Sequence, residues 1–229
     1  MATVRYGTRI DTAILFHGSA VSGIKRFEPE IEKFSRPGND TLGIGIYFTA
    51  SEQLAELYAR RRSAQFRTIG PTVYRAVLRE ASMVDLRDSG ARAEVLVDFI
   101  QFVSQLIRSD AHTRMHFGAF EELAELHFKG SLAMQNRIKN ILRGIIRSYE
   151  SNKKPSNIRE VLDPGYSIGS GYFSLYLKAL GNHGLISPEG NDLNLPPSET
   201  WMIFEHYPNL QILDEKIISN PPTTNTLNG

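Results

Sequence analysis

Three short stretches of this chain hold side chains suited to chemistry on a group that carries or develops positive charge. Leu15-Phe16-His17-Gly18-Ser19 ends an apolar run in an imidazole, a bare backbone position and a hydroxyl. Gly43-Ile44-Gly45-Ile46-Tyr47-Phe48-Thr49 carries one tyrosine, and a second, Tyr58, follows eleven residues later. Ser198-Glu199-Thr200 leads into the apolar Trp201-Met202-Ile203-Phe204. A cation against a tyrosine face gains about 0.5–2 kcal/mol. A carboxylate stabilises positive charge as it forms on a reacting carbon. Glycine lets another group come close to the backbone. Taken singly, each residue has an ordinary explanation: His17 as a hydrogen-bonded core histidine, Tyr47 and Tyr58 as core aromatics, Glu199 as an exposed carboxylate at a strand start. Glu205 lies six residues beyond Glu199 and, at period 2, would share its face, so alternation does not separate them.

Other signals are poorer. His112 and His116 stand four apart, with His127 further on, but there is no His-Glu-x-x-His and no cysteine, so no metal site is expected. Gly169-Ser170-Gly171 lacks the third glycine and preceding strand of a dinucleotide fingerprint, and reads as a loop opening the Tyr172 helix. No Gly-x-x-x-x-Gly-Lys-Ser/Thr phosphate loop is present.

The elements that must hold these residues follow from periodicity. Ala13–Phe16 reads as a buried strand, Gly45–Thr49 as a second strand after a loop with Pro37, Gly38, Asn39 and Gly43, and Thr72–Leu78 as an alternating third. Ser51 caps a helix that carries Leu54, Ala55, Tyr58 and Ala59 at helical spacing. In the middle, Val95, Phe99, Phe102, Val103 and Leu106 fall on one helical face, and Phe120, Leu123, Ala124, Leu126 and His127 suggest another helix. Ile138, Ile141, Leu142, Ile145, Ile146 and Tyr149 form a long apolar stripe. Ser151–Asn157 reads as a loop, and Tyr172–Leu180 as a helix stopped at Gly181. Strand character returns at Thr200–Phe204 and Leu210–Leu213. The Asn/Thr/Pro-rich stretch 219–229 reads as a disordered tail.

The three stretches, in this order and with the tyrosine spacing kept, resemble the ADP-ribosyltransferases, in their diphtheria-toxin-like, poly(ADP-ribose)-polymerase-like branch with its His-Tyr-Glu signature. Leu180-Gly181-Asn182-His183-Gly184-Leu185 ahead of Glu199 also looks like that family's closing helix–turn–strand. The likeness covers the two ends of the chain and not the helical middle. It implies an α+β fold with a split antiparallel/mixed β-sheet core and an inserted helical block. One domain would span 1–218, with the insertion at about 91–165.

By the same resemblance, NAD is the substrate. His17, Gly18, Ser19, Tyr47, Phe48 and Tyr58 would bind it, with Glu199, His17 and Tyr47 catalytic. The two tyrosines would sandwich the pyridinium, Gly18 would clamp the carboxamide, and His17 would bond the adenosine ribose. Glu199 would bind the nicotinamide-ribose hydroxyl and polarise the incoming nucleophile. No metal is implied. One departure is Ala55, where the family often has a serine that bonds the carboxamide; Ser51 or Thr49 is a substitute. The second, acceptor-side region of the elongating members is not visible, so single transfer is expected.

The composition fits a globular chain: 229 residues, 41% hydrophobic and 22% charged, with no cysteine, which excludes disulfides and thiolate chemistry. No apolar run approaches the ~20 residues that cross a bilayer, and Met1–Asp11 lacks a secretory signal, so no membrane association and a cytoplasmic location are expected. A formal net charge of +1 hides segregation: +3 over 1–90, −3 over 91–128, +6 over 129–160 and −5 over 161–229. Lys139, Arg143 and Arg147 recur every four residues, and Arg60-Arg61-Arg62 follows Tyr58. Such stripes contact phosphates, or simply solvate a helix. RNA, DNA and protein all stand as acceptors. Lone transferases of this kind resemble toxin–antitoxin or phage-defence toxins, which implies a cognate antitoxin. The alternatives are a non-catalytic NAD- or nucleic-acid-binding module, and a metal-free ribonuclease toxin using His17 and Glu199 as acid and base.

Overall fold

Two long strands set the frame. β1 (Gly7–Ser19) and β3 (Thr72–Asp85) pair antiparallel along their whole length, from Gly7 opposite Val84 to Ser19 opposite Thr72. The computed structural model describes residues 6–27, 45–68, 70–108, 131–153, 155, 158–162, 166–188, 198–204 and 207–219. Both strands run past the apolar segments that announce them. Pairing with each other satisfies the backbone of polar positions such as Arg9 and Thr12, which alternation alone leaves unassigned.

β2 (Ile46–Thr49), β4 (Gly184–Pro188) and β5 (Glu199–Ile203) complete a ring in the order β1-β2-β5-β4-β3 and back to β1. β6 (Leu210–Ile217) adds to β3 beside it. All neighbours are antiparallel except β3 and β4. That parallel pair needs a long crossover, and the helical middle of the chain supplies it. The α+β class and mixed sheet are as expected. The sheet, however, closes into one five-stranded ring with an added strand rather than dividing in two. The closure is thinnest between β1 and β2, joined among the described residues by one pair, Phe16 opposite Thr49.

Alternation then sorts the core. Leu15, Phe48, Tyr74, Met83, Ile186 and Trp201 fill the ring. Outside it, α1 (Glu52–Phe66) lies on β1, with Ala55 and Ala59 packed against Val73 and Phe16. Ser51 caps this helix, its hydroxyl accepting from Leu54 N at 3.3 Å. The rest of the outer face is covered by α2 (Ser89–Arg108), α3 (Leu132–Ser151), α4 (Arg159–Leu162) and α5 (Tyr166–Ala179). Val95, Phe99, Phe102, Val103 and Leu106 of α2 are all buried, as their spacing requires. Ile138, Leu142 and Ile145 of α3 meet them. Arg92 is buried too: Nε donates to Pro155 O at 3.0 Å and Nη1 to Leu86 O at 2.6 Å, tying α2 to the end of β3.

One expectation is overturned here. Gly169-Ser170-Gly171 is not a loop but lies within α5. A Cβ on Gly169 would stand 2.6 Å from Ile145 Cδ1, so the glycine lets α5 cross close to α3. The helix therefore begins before Tyr172. β4 is a strand that no separate signal announced, although the helix–turn–strand likeness over 180–185 matches the turn out of α5 into it. The loop with Pro37, Gly38, Asn39 and Gly43, the Phe120–His127 helix, His112, His116, Glu205 and residues 220–229 lie outside the described residues. Among the described residues, no helix is long and apolar enough to cross a membrane.

Candidate functional site

The three sequence stretches fall on neighbouring strands, β1, β2 and β5. Phe16 stands opposite Thr49, and Thr49 opposite Thr200. One step along, Phe48 pairs with Trp201, and His17 of β1 pairs on its other side with Tyr74. His17, Phe48, Trp201 and, two residues before it, Glu199 thus share the inner face of the sheet.

His17 is held on both sides. Its Nδ1 lies 2.7 Å from the carbonyl oxygen of Tyr47. A carbonyl only accepts, so Nδ1 carries the proton and Nε2 keeps its lone pair. The ring packs against Phe27, Phe48 and Tyr74 at centroid distances of 5.0, 5.6 and 6.4 Å. Burial pushes its pKa below the ordinary histidine value; the bond to Tyr47 raises it, and the charge of Arg62 lowers it again. The imidazole is therefore neutral at pH 7 and offers a hydrogen-bond acceptor.

The Tyr47 ring leaves the other face of β2 and packs against the helical cluster. His17 and Tyr47 thus meet through a carbonyl, with their rings on opposite sides of the strand. Tyr58 is partly buried on α1, one residue before the buried Ala59. Phe48 is core, 3% exposed, and touches Phe27 as well as His17.

Gly18 has a packing reason to be glycine. A Cβ there would sit 2.1 Å from Ala55 O and 2.7 Å from Ala59 N, so α1 rests directly on the β1 backbone. Ser19 is buried, with Oγ accepting from Val21 N at 3.1 Å. Ala55, at the family's serine position, is fully buried in the same contact. Of its suggested substitutes, Thr49 Oγ1 accepts from Ser51 N at 3.1 Å, and Ser51 Oγ is the α1 cap. Each hydroxyl retains a proton to donate.

Glu199 opens β5, one step beyond the Thr49–Thr200 pair and level with the turn into α1. Its Oε1 accepts from Trp201 Nε1 at 2.7 Å, and its Oε2 is paired with Arg87 Nη1. The same guanidinium forks onto Asp85, Nε to Oδ1 at 2.8 Å and Nη2 to Oδ2 at 2.6 Å. Asp85 sits below the usual carboxylate range chiefly because of that hydrogen bond, and Arg87 above the usual arginine range, first through Asp85 and then through Glu199. Neither Arg87 nor Asp85 was singled out from the sequence. Their signal, Asp-Leu-Arg-Asp after a strand, is too common to find without the sheet order.

The basic residues divide. Arg62 is near enough for its charge to act on His17, Arg60 donates to Ser219 O, and Arg61 is exposed. Arg143 and Arg147 are exposed and Lys139 half-exposed on α3; Arg143 Nη1 donates to Asn140 Oδ1 at 2.9 Å. Among the described residues, no group of three or more His, Cys, Asp or Glu could hold a metal ion.

The chain matches no protein-family model and no curated protein sequence. Among solved structures, it is similar to a chain of the M. tuberculosis MbcT–MbcA toxin–antitoxin complex, at 10% identity and a TM-score of 0.43, over 93% of this chain and 88% of that one. Similarity of that degree says nothing of this chain's chemistry.

Proposed function

We propose that this chain is an NAD-dependent mono-ADP-ribosyltransferase acting on a macromolecular acceptor, nucleic acid or protein, as a toxin or defence effector. The observation that supports it most is the adjacency of β1, β2 and β5, with His17 bonded to the tyrosine strand and Glu199 on the inner face of the next. His17 and Glu199 face the inside of the ring and the Tyr47 ring the outside, so a dinucleotide that reaches all three threads the β1–β2 seam, which a single described pair closes. His17 Nε2 accepts from an adenosine ribose hydroxyl. Tyr47 and Tyr58 hold the pyridinium, whose positive charge suits aromatic faces.

In the reaction, the bond between ribose C1′ and the nicotinamide nitrogen breaks, and its electron pair leaves with neutral nicotinamide. The ribose passes through an oxocarbenium-like state, opposed by the Glu199 carboxylate, which also accepts from the adjacent ribose hydroxyl. An acceptor oxygen or nitrogen then bonds to C1′ and loses its proton. NAD supplies its own leaving group, so nothing in this scheme calls for a thiol. Arg62, Arg61 and the α3 stripe of Lys139, Arg143 and Arg147 suit a phosphate-bearing acceptor.

The test is labelled NAD incubated with the protein and with RNA, DNA or cell protein, followed by intact-mass analysis. Addition of one ADP-ribose to one acceptor class is expected. RNA cleavage without NAD would replace this reading with a ribonuclease, and NAD binding without turnover would replace it with a binding module.

A further inference from the structure

The geometry points to Arg87 as a positioning residue that fixes the Glu199 carboxylate to face the reacting ribose of NAD, an inference that rests on the transferase reading. Arg87 lies outside the three motif stretches and two strands away from Glu199, since β4 separates β3 from β5. Its backbone is pinned. Leu86 N donates to Ile186 O at 2.8 Å, Leu86 O accepts from the buried Arg92, and Arg87 N donates to Asp85 Oδ1 at 3.0 Å. From that fixed point, the guanidinium uses Nε and Nη2 on Asp85 and turns Nη1 to Glu199 Oε2.

The other carboxylate oxygen, Oε1, is taken by Trp201 Nε1. Trp201 is itself anchored, 7% exposed among the ring's inner residues. Two donors, Arg87 from the turn after β3 and Trp201 from β5, one on each oxygen, define the plane of the carboxylate. Each oxygen has a further lone pair for a ribose hydroxyl. Asp85 orients the fork, and Arg87 orients the acid.

The charges separate orientation from simple electrostatics. Asp85, Arg87 and Glu199 together carry −1, a sign that suits a cationic reacting carbon. Replacing Arg87 with a neutral residue makes the group −2, which on charge alone would favour that carbon more. A loss of turnover on its removal therefore reports lost positioning. Lysine, a point charge without the planar fork, cannot bridge Asp85 and Glu199 as arginine does.

The chain has one tryptophan, so its single indole N–H resonance reads the Trp201–Glu199 bond directly. The experiment takes the full chain with NAD as probe and compares the parent, Arg87→Gln, Arg87→Lys and Glu199→Gln. The expected result is a kcat for nicotinamide release about 100-fold lower in Arg87→Gln with KM changed far less, since small misplacements of a reacting group cost that much. Arg87→Lys recovers only a small part of it. The indole resonance moves in both Arg87 variants, as it does in Glu199→Gln. An active parent whose Arg87→Gln variant keeps full kcat, or loses it only in proportion to its folded fraction, overturns the inference and leaves the transferase reading standing. If Arg87→Gln does not fold, full kcat in Arg87→Lys overturns it equally. A folded parent that releases no nicotinamide removes the transferase reading, and this inference with it.

Discussion

His17 ties chemistry to stability. Its partly buried ring packs against Phe27, Phe48 and Tyr74, its Nδ1 proton is committed to the Tyr47 carbonyl, and its pKa is lowered chiefly by burial. Between the lowered folded value and the ordinary 6.5, the unfolded chain binds the proton that the folded one refuses. Stability therefore falls as the pH drops through that window, and the His17 contribution is fully present only above it. Thermal unfolding followed from pH 7.5 to 5 should show the parent losing melting temperature more steeply than His17→Gln. Parallel curves would mean that His17 is not held neutral. On the proposed transferase reading the neutral state also matters for binding, because a protonated Nε2 could no longer accept from a ribose hydroxyl. The residue types at this site were legible in the sequence because three short patterns keep their order. Arg87 was not, because its importance comes only from reaching across β4, and no local spacing encodes that reach.

At the scale of elements, the sequence spoke clearly where one face is apolar and the other polar. Ser51 and the Leu54–Ala55–Ala59 spacing fix α1, and the stripes of α2 and α3 bury where they must. It spoke least where small residues pack. Gly169 and Gly171 look like a loop, yet the first admits Ile145. Gly18 reads in the sequence as a ligand's point of approach, and the structure shows it as the seat of α1. Two substitutions test that role. Gly18→Ala puts a Cβ 2.1 Å from the Ala55 backbone oxygen, and either α1 shifts or the chain loses about 3 kcal/mol or more. Gly70→Ala, with nothing within 4 Å and no unusual backbone angle, should leave the urea midpoint unchanged. Equal midpoints for the two variants would contradict the close contact between β1 and α1. A shifted α1 would carry Tyr58 with it, so residual NAD turnover in Gly18→Ala should fall as well.

For the whole molecule, the ring and the helical block divide the work. The inner face carries His17 and Glu199, while the outer face turns Tyr47 and the ends of β3, β4 and β5 toward α2, α3 and α5. Sheet closure was hidden from the sequence, since strand order depends on long-range pairing that four- and five-residue strands cannot announce. The segregated charge, by contrast, was readable and remains exposed along α3. Reversing Lys139, Arg143 and Arg147 to glutamate should weaken nucleic-acid binding and flatten its dependence on salt, because fewer counterions are then released. Unchanged affinity and slope in a salt titration would make the stripe an ordinary solvated face.

The most direct test of the account is nicotinamide release from NAD by the purified chain, measured beside a Glu199→Gln variant whose fold is checked by circular dichroism. Release by the parent and its loss in the folded variant is the predicted result. Equal release by both, or none by a folded parent, would contradict it.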